Sequence, residues 1–146
     1  MQKYFTRDQA ERALPTVERL IREALFLKSE FQEADEVLRT ATRDIMMRGG
    51  MNPDRDKILQ TRERRDSSAT RLQTVLDAIQ EDGVQVKDLD IGLLDFPTLY
   101  RGREVCLCWT LGENRIEFWH GTEEGFRGRK PIDEEFLANH TGDPSN

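Results

Sequence analysis

Val17, Leu20, Ala24, Leu27, Phe31, Ala34, Leu38, Ala41 and Ile45 are spaced alternately three and four residues apart. Held over four heptads, that spacing specifies a long helix with a narrow apolar seam, the kind that pairs with another helix. The spacing predicts this helix over about residues 15–47, with a break at Pro15, which is tolerated at a first helical position. A short helix precedes it, opened by a capping box of Thr6 and Gln9. Gly49-Gly50 ends the long helix, and Asn52-Pro53 turns the chain. A second helix over about 54–81 stops at Gly83. Its seam reads Ile58, Arg62, Arg65, Ala69, Leu72, Leu76 and Ile79. Folded back as a hairpin, the second helix sets Arg62 and Arg65 against residues 38–41. Their stems lie along the seam while the guanidinium groups reach water.

The two ends of this hairpin differ. Ile21, Leu25, Phe26 and Val75 widen the stripe at the proximal end, and a wider stripe can cover a sheet as well as a helix. The distal half has a thin core and two arginines in it. It is therefore read as projecting and as a dimer surface, two hairpins making a four-helix bundle.

Residues 95–132 hold both tryptophans and both cysteines. Within them, 104–111 and 114–120 alternate apolar and polar residues with period two, the mark of strands. A two-residue turn at Gly112-Glu113 would join them. It pairs Val105 with His120, Leu107 with Phe118 and Trp109 with Ile116, so Val105, Leu107, Trp109, Ile116 and Phe118 share one face with His120. Cys106, Cys108, Thr110, Arg115, Glu117 and Trp119 take the other face, where the cysteines pack beside Trp119. Residues 84–86 and 89–96 supply further strands, the latter ended by Pro97. A last helical turn starts at Pro131-Ile132, and the tail from Asn139 is polar and frayed. The architecture expected is α+β: a long antiparallel, coiled-coil-like helical hairpin with a small antiparallel sheet packed on its proximal end. It is one domain of residues 1–146, comprising the helical hairpin and short N-terminal helix (1–83), a small β region (84–138) and a tail (139–146).

Charged residues make up 34% of the chain and hydrophobic ones 36%, which suits solvent-washed helices more than a thick core. A net charge of −6 argues against nucleic-acid binding. The start of the chain has no apolar run, so neither a signal peptide nor a membrane span is expected and the cytoplasm follows. Cys106 and Cys108 are a poor pair for bridging each other and read as reduced.

Certain runs resemble a small bacterial family catalogued as domain of unknown function 2203. They are Asp95-Phe96-Pro97, Arg101-Gly102-Arg103, the stretch VCLCW from Val105 to Trp109, Gly112-Glu113, Trp119-His120 and Gly125-Phe126-Arg127-Gly128-Arg129. Tyr4-Phe5-Thr6 and Ala13-Leu14-Pro15 resemble the family's start, so the likeness spans about residues 4–134. It implies a bacterial cytoplasmic protein of helical hairpin and β elements, and it carries no assigned activity or catalytic residues.

The candidate chemistry lies in two Arg-Gly-Arg loops. In the predicted register they leave the same end of the sheet and gather Arg101, Arg103, His120, Arg127 and Arg129, with Lys130 extending the second loop. Arginine forks and free glycine amides hold phosphate or carboxylate. Nearby Asp95, Glu104, Glu123, Glu124 and Asp133 are the competing partners. Metal ligation is not expected, because His120 falls on the face opposite Cys106, Cys108 and Glu117, and a lone C-x-C is a weak zinc signal. No catalytic residue and no cofactor is predicted. The sequence points to a homodimeric binding or interaction protein with an Arg/His-lined site for a small anionic ligand or an acidic protein partner. The alternatives are a small enzyme using His120 as general acid and base, and a structural coiled-coil adaptor.

Overall fold

The computed structural model describes residues 2–50 and 54–144, so the turn expected at Asn52-Pro53 lies outside the described residues. In order, the elements are α1 (Arg7–Met47), α2 (Arg55–Glu81), β1 (Gln85–Asp88), β2 (Leu93–Tyr100), β3 (Arg103–Thr110), β4 (Phe118–Gly121), a 3-10 turn (Phe126–Gly128), β5 (Lys130–Pro131), α3 (Glu134–Asn139) and β6 (His140–Thr141). The six strands form one antiparallel sheet in the order β1-β2-β3-β4-β5, with β6 also on β2. The class is α+β. The chain divides into two compact units, Met1–Arg22 with Leu76–Asn146, and Glu23–Val75. Among the described residues no helix is long and apolar enough to cross a membrane.

The Glu23–Val75 unit is the helical hairpin. On α1 the seam is the one expected, with Ala24, Leu27, Ala34 and Leu38 buried and Phe31, Ala41 and Ile45 half-buried. On α2 the seam is rotated from the expected one. It runs Ile58, Thr61, Arg65, Ser68, Leu72 and Val75, where Thr61, Ser68 and Val75 replace the predicted Arg62, Ala69 and Leu76. The rotation has a clear physical cause: it moves the Arg62 guanidinium into water and accepts the small, weakly polar Ser68 instead. Arg65 stays half-buried with Asp66 at 3.0 Å and Asp35 at 3.8 Å. Arg64 reaches across to Glu30 and Glu33 at 2.5 and 3.2 Å. Exposed pairs of this kind align helices more than they stabilise them.

In the other unit, α1 opens on the predicted capping box. Thr6 Oγ1 accepts from the Gln9 amide at 3.1 Å, and Gln9 Oε1 accepts from the Thr6 amide at 2.9 Å. The expected break at Pro15 does not occur, and α1 passes through it. An interior proline costs about 3 kcal/mol. Leu14, Val17 and Ile21 flank it at 6, 1 and 0% exposure, and each such burial contributes about 1.5–3 kcal/mol. Burial therefore outweighs the lost hydrogen bond. Ile21, not Leu20, is the fully buried residue of that turn.

β2 is the central strand and does not end at Pro97. Its second edge is shared by three short segments. β1 pairs with Leu93–Asp95, the Phe5 amide donates to the Pro97 carbonyl at 2.7 Å, and β6 pairs with Leu99 and Tyr100. A residue's N–H and C=O point to the same side of a strand, so the N–H that proline lacks would face the Phe5 side. There no strand needs it, and the ladder to β3 stays intact. One sheet face carries Leu94, Phe96, Leu107 and Trp109, all fully buried, with Phe5 edge-on to Phe96 at 5.4 Å.

Residues 139–143 are tied to the start of α1, where a frayed tail is expected. The Arg7 amide, left free at the start of α1, donates to His140 Nε2 at 3.0 Å, while Leu137 O accepts from Nδ1. Asp143 N donates to Tyr4 O, and Asp143 Oδ2 accepts from Tyr4 N. Gly142 lies so close to Phe5 and Thr6 that a Cβ there would sit 2.4 Å from the Thr6 nitrogen. Trp119 also finds its cover here, tilted against Tyr100 and stacked on Phe136 of α3. Gly142→Ala should therefore detach β6 and uncap α1, at a cost of about 1–3 kcal/mol. Hydrogen exchange would report it as lost protection at Arg7 and Asp143; unchanged protection at both would contradict the contact.

Candidate functional site

The β3–β4 register differs from the predicted one by a single residue. Cys106 pairs with His120, Leu107 with Trp119 and Cys108 with Phe118. The hairpin thus centres on Glu113 instead of falling between Gly112 and Glu113. Glu113 builds the wider loop: its carboxylate accepts from the Thr110 amide at 2.6 Å, and its carbonyl accepts from Trp109 Nε1 at 2.9 Å. Ile116 is no strand residue. It is pinned by α1, its amide donating to Glu11 at 2.6 Å and its carbonyl accepting from Arg7 Nε at 3.1 Å. A one-residue shift exchanges faces. Cys106, Cys108, Phe118 and His120 therefore share the face that carries Asp95 and Pro97, away from Trp119.

On that face His120, from β4, reaches over β3 to Asp95 on β2. His120 Nε2 lies 2.9 Å from Asp95 Oδ1, and Nδ1 lies 2.8 Å from the Gly121 carbonyl. The side chains are 5 and 2% exposed. Both facing oxygens are acceptors, so both ring nitrogens donate and the ring is an imidazolium. Its pKa is raised from 6.5 to about 10, first by the Asp95 carboxylate, then by the Cys108 thiol beside it, against the opposing effect of burial. The two side chains can meet across β3 because the residues beneath them, Cys106 and Cys108, are small. Cys106 is held as the neutral thiol, its pKa pushed up to about 12 by burial and then by Asp95. Asp95, Cys106 and His120 each offer a ligand atom within 4.8 Å of the others.

The five residues predicted to form an anion site are not gathered in one place. Arg101 and Gly102 form the β2–β3 turn with φ of 51° and 79°, both left-handed as a two-residue type I′ turn requires. Arg101 pairs with Glu135 and lies over Tyr100. Arg103 and Arg127 are exposed. Arg129 belongs to the other end of β3: it pairs with Glu113 at 2.7 Å and stacks on Phe118 and Phe126. Its Nη2 lies 3.5 Å from the Cys108 carbonyl, five strand residues from Arg103, or about 16 Å. Lys130 pairs with Glu124 at 2.6 Å and lies over Trp119.

A family model described as Uncharacterized conserved protein (DUF2203) matches residues 3–132. The chain belongs to the DUF2203 family. No curated protein and no solved structure matches it. The DUF2203 match takes in Asp95, Cys106, Cys108, His120 and Arg129, and stops just before α3 and β6.

The sequence offers Asp95 as a partner for the loop arginines, and its pairing with His120 follows only from the register. The available signal was Glu113, which can cap Thr110 only if the loop is wider than two residues. Because the folded imidazole titrates above its ordinary value, the stability that His120 contributes by holding its proton is complete below about pH 6.5 and is lost as pH rises through about 10. Asp95→Asn strands a buried cation and should cost about 3–5 kcal/mol in urea unfolding. In NMR spectra at neutral pH His120 should show two slowly exchanging ring N–H protons; a single one would mean a neutral ring and no ion pair.

Proposed function

We propose that this protein is a cytoplasmic interaction module, not an enzyme, that self-associates through its helical hairpin and binds an acidic partner. The observation that carries this is an open groove of about 560 Å³ between α1 and α2 in the Glu23–Val75 unit. Its floor is the far end of the heptad seam, with Ala41, Ile45 and Ile58, and Val37 lines its side. Two helices alone cannot cover such a seam. Val37, Met46, Met47 and Leu59 remain exposed around it.

A second copy of this chain is the occupant that the groove fits. Glu33 and Glu36 mark one end, and Arg48 and Lys57 stand among Asp44 and Asp54 at the other. A two-fold, antiparallel approach sets the acidic end of one copy against the cations of its partner, as a self-complementary interface must. Two hairpins then form a four-helix bundle. For the acidic partner, the exposed members of the predicted anion site are Arg103 and Arg127, with Arg101 held by Glu135. His120 and Arg129 are committed to Asp95 and Glu113.

His120 as general acid and base finds less support. It is 4% exposed and has no free ring lone pair, and a general base must reach the proton that it removes.

Sedimentation equilibrium of the full chain tests the dimer. The wild type should show twice the chain mass, and Val37→Glu should show the chain mass with unchanged helical circular dichroism. A wild type that is monomeric at every concentration would refute the proposal.

A further inference from the structure

Asp95, Cys106 and His120 stand on three neighbouring strands with their side chains on one face, and all three are buried. We propose that they form a three-ligand binding site for a thiophilic divalent cation of the zinc class. This is independent of the interaction reading above, since it concerns a different part of the chain.

Four observations support the site. The first is geometry. A four-coordinate zinc with bonds of about 2.0–2.3 Å spaces its ligand atoms about 3.3–3.8 Å apart. The three present lie within 4.8 Å of one another, so closure needs side-chain shifts of about 1 Å. The second is donor chemistry. One sulfur, one imidazole nitrogen and one carboxylate oxygen suit zinc or cobalt, whereas magnesium and calcium want oxygen throughout. Three protein ligands suffice for zinc, which takes a water in the fourth position of such sites.

The third is charge. In the metal-free cluster the imidazolium, the carboxylate and the thiol sum to zero. A divalent ion bound by Asp95, Cys106 and His120 displaces two protons, one from His120 Nε2 and one from the Cys106 thiol. The cation, carboxylate, thiolate and neutral imidazole again sum to zero. A buried site exchanges proton for metal without gaining net charge, which avoids the large cost of burying an unbalanced ion. The fourth is orientation. Metal-bound histidines usually donate their other ring N–H to a carbonyl or carboxylate, and the 2.8 Å contact from Nδ1 to the Gly121 carbonyl already provides this. It aims Nε2 into the cluster.

A buried pair can also be an ion pair and nothing more, and the thiol separates the two. The test uses the full chain, refolded with and without Co²⁺ because a buried centre forms with the fold. Binding of one Co²⁺ per chain should give a sulfur-to-cobalt charge-transfer band in the near ultraviolet and visible bands of tetrahedral cobalt, all lost on adding Zn²⁺. In NMR spectra of the Zn²⁺ form, His120 should lose its Nε2 proton and keep the one on Nδ1. Cys106→Ser should weaken Co²⁺ binding more than ~100-fold while circular dichroism stays unchanged. Cys108→Ser, the second variant, should keep the Co²⁺ bound with its charge-transfer band intact. Absence of a charge-transfer band in refolded wild type, or an undiminished band in Cys106→Ser, would overturn the proposal and leave Asp95–His120 as an ion pair.

Discussion

The ion pair between Asp95 and His120 is the constraint on which the sheet depends. It joins β2 to β4 over the top of β3, so it ties three strands at once. Burying two charges is costly, and their attraction returns the cost only when geometry and remaining hydrogen bonds are good. Here the carbonyl of Gly121 takes the second imidazole proton. A slip of one residue between β3 and β4 would send His120 to the opposite face and leave Asp95 buried alone. Apolar patterning does not choose between the two registers, because Val105, Leu107 and Trp109 alternate in either. The buried charges do choose, and Glu113 supports the choice from the loop.

A second constraint acts at the chain's two ends. The first turn of α1 has amides with no partner inside the helix. Gln9 answers through the capping box and His140 answers the amide of Arg7. Since β6 also pairs with β2, the residues that cap α1 are part of the sheet. β2 can therefore hold a proline in its middle. Its outer edge is assembled from three separate segments, and Pro97 occupies the gap where a lone carbonyl, bonded to Phe5, is all that is needed.

What was legible in the sequence follows from how local each signal is. The α1 seam was readable from 17 to 45 because a heptad pattern needs only spacing. The capping box needed only Thr6 and Gln9. Pro15 and Pro97 misled, since a local rule says where a proline is costly and not what nearby burial outweighs. The α2 seam slipped because two faces of that helix have similar apolar content, and only the partner helix decides that Arg62 goes to water. The candidate site was hidden for the same reason. Its members are 11 to 25 residues apart, and whether they share a face depends on a loop differing by one residue. The Arg-Gly-Arg repeats stood out in sequence, yet the first is a turn signal that the chain uses to reverse between β2 and β3. In the second, Arg129 acts as a lid over Phe118, Phe126 and Glu113.

The residues beneath the ion pair carry information that the pair itself does not. Room for His120 to cross β3 requires only small side chains at 106 and 108, and alanine or serine would provide it. Cysteine in such a position can be simply a small hydrophobe. Here, however, each thiol lies against a charged group: Cys106 against Asp95 and Cys108 against His120. A thiol can offer a carboxylate only a weak hydrogen bond, and its own ionisation is suppressed there. The arrangement becomes favourable for sulfur when a cation stands between thiol and carboxylate, because both then face opposite charge. Sheet packing requires small residues at these two positions; a sulfur at 106, within 4.8 Å of a histidine nitrogen and an aspartate oxygen, is what the proposed metal site adds.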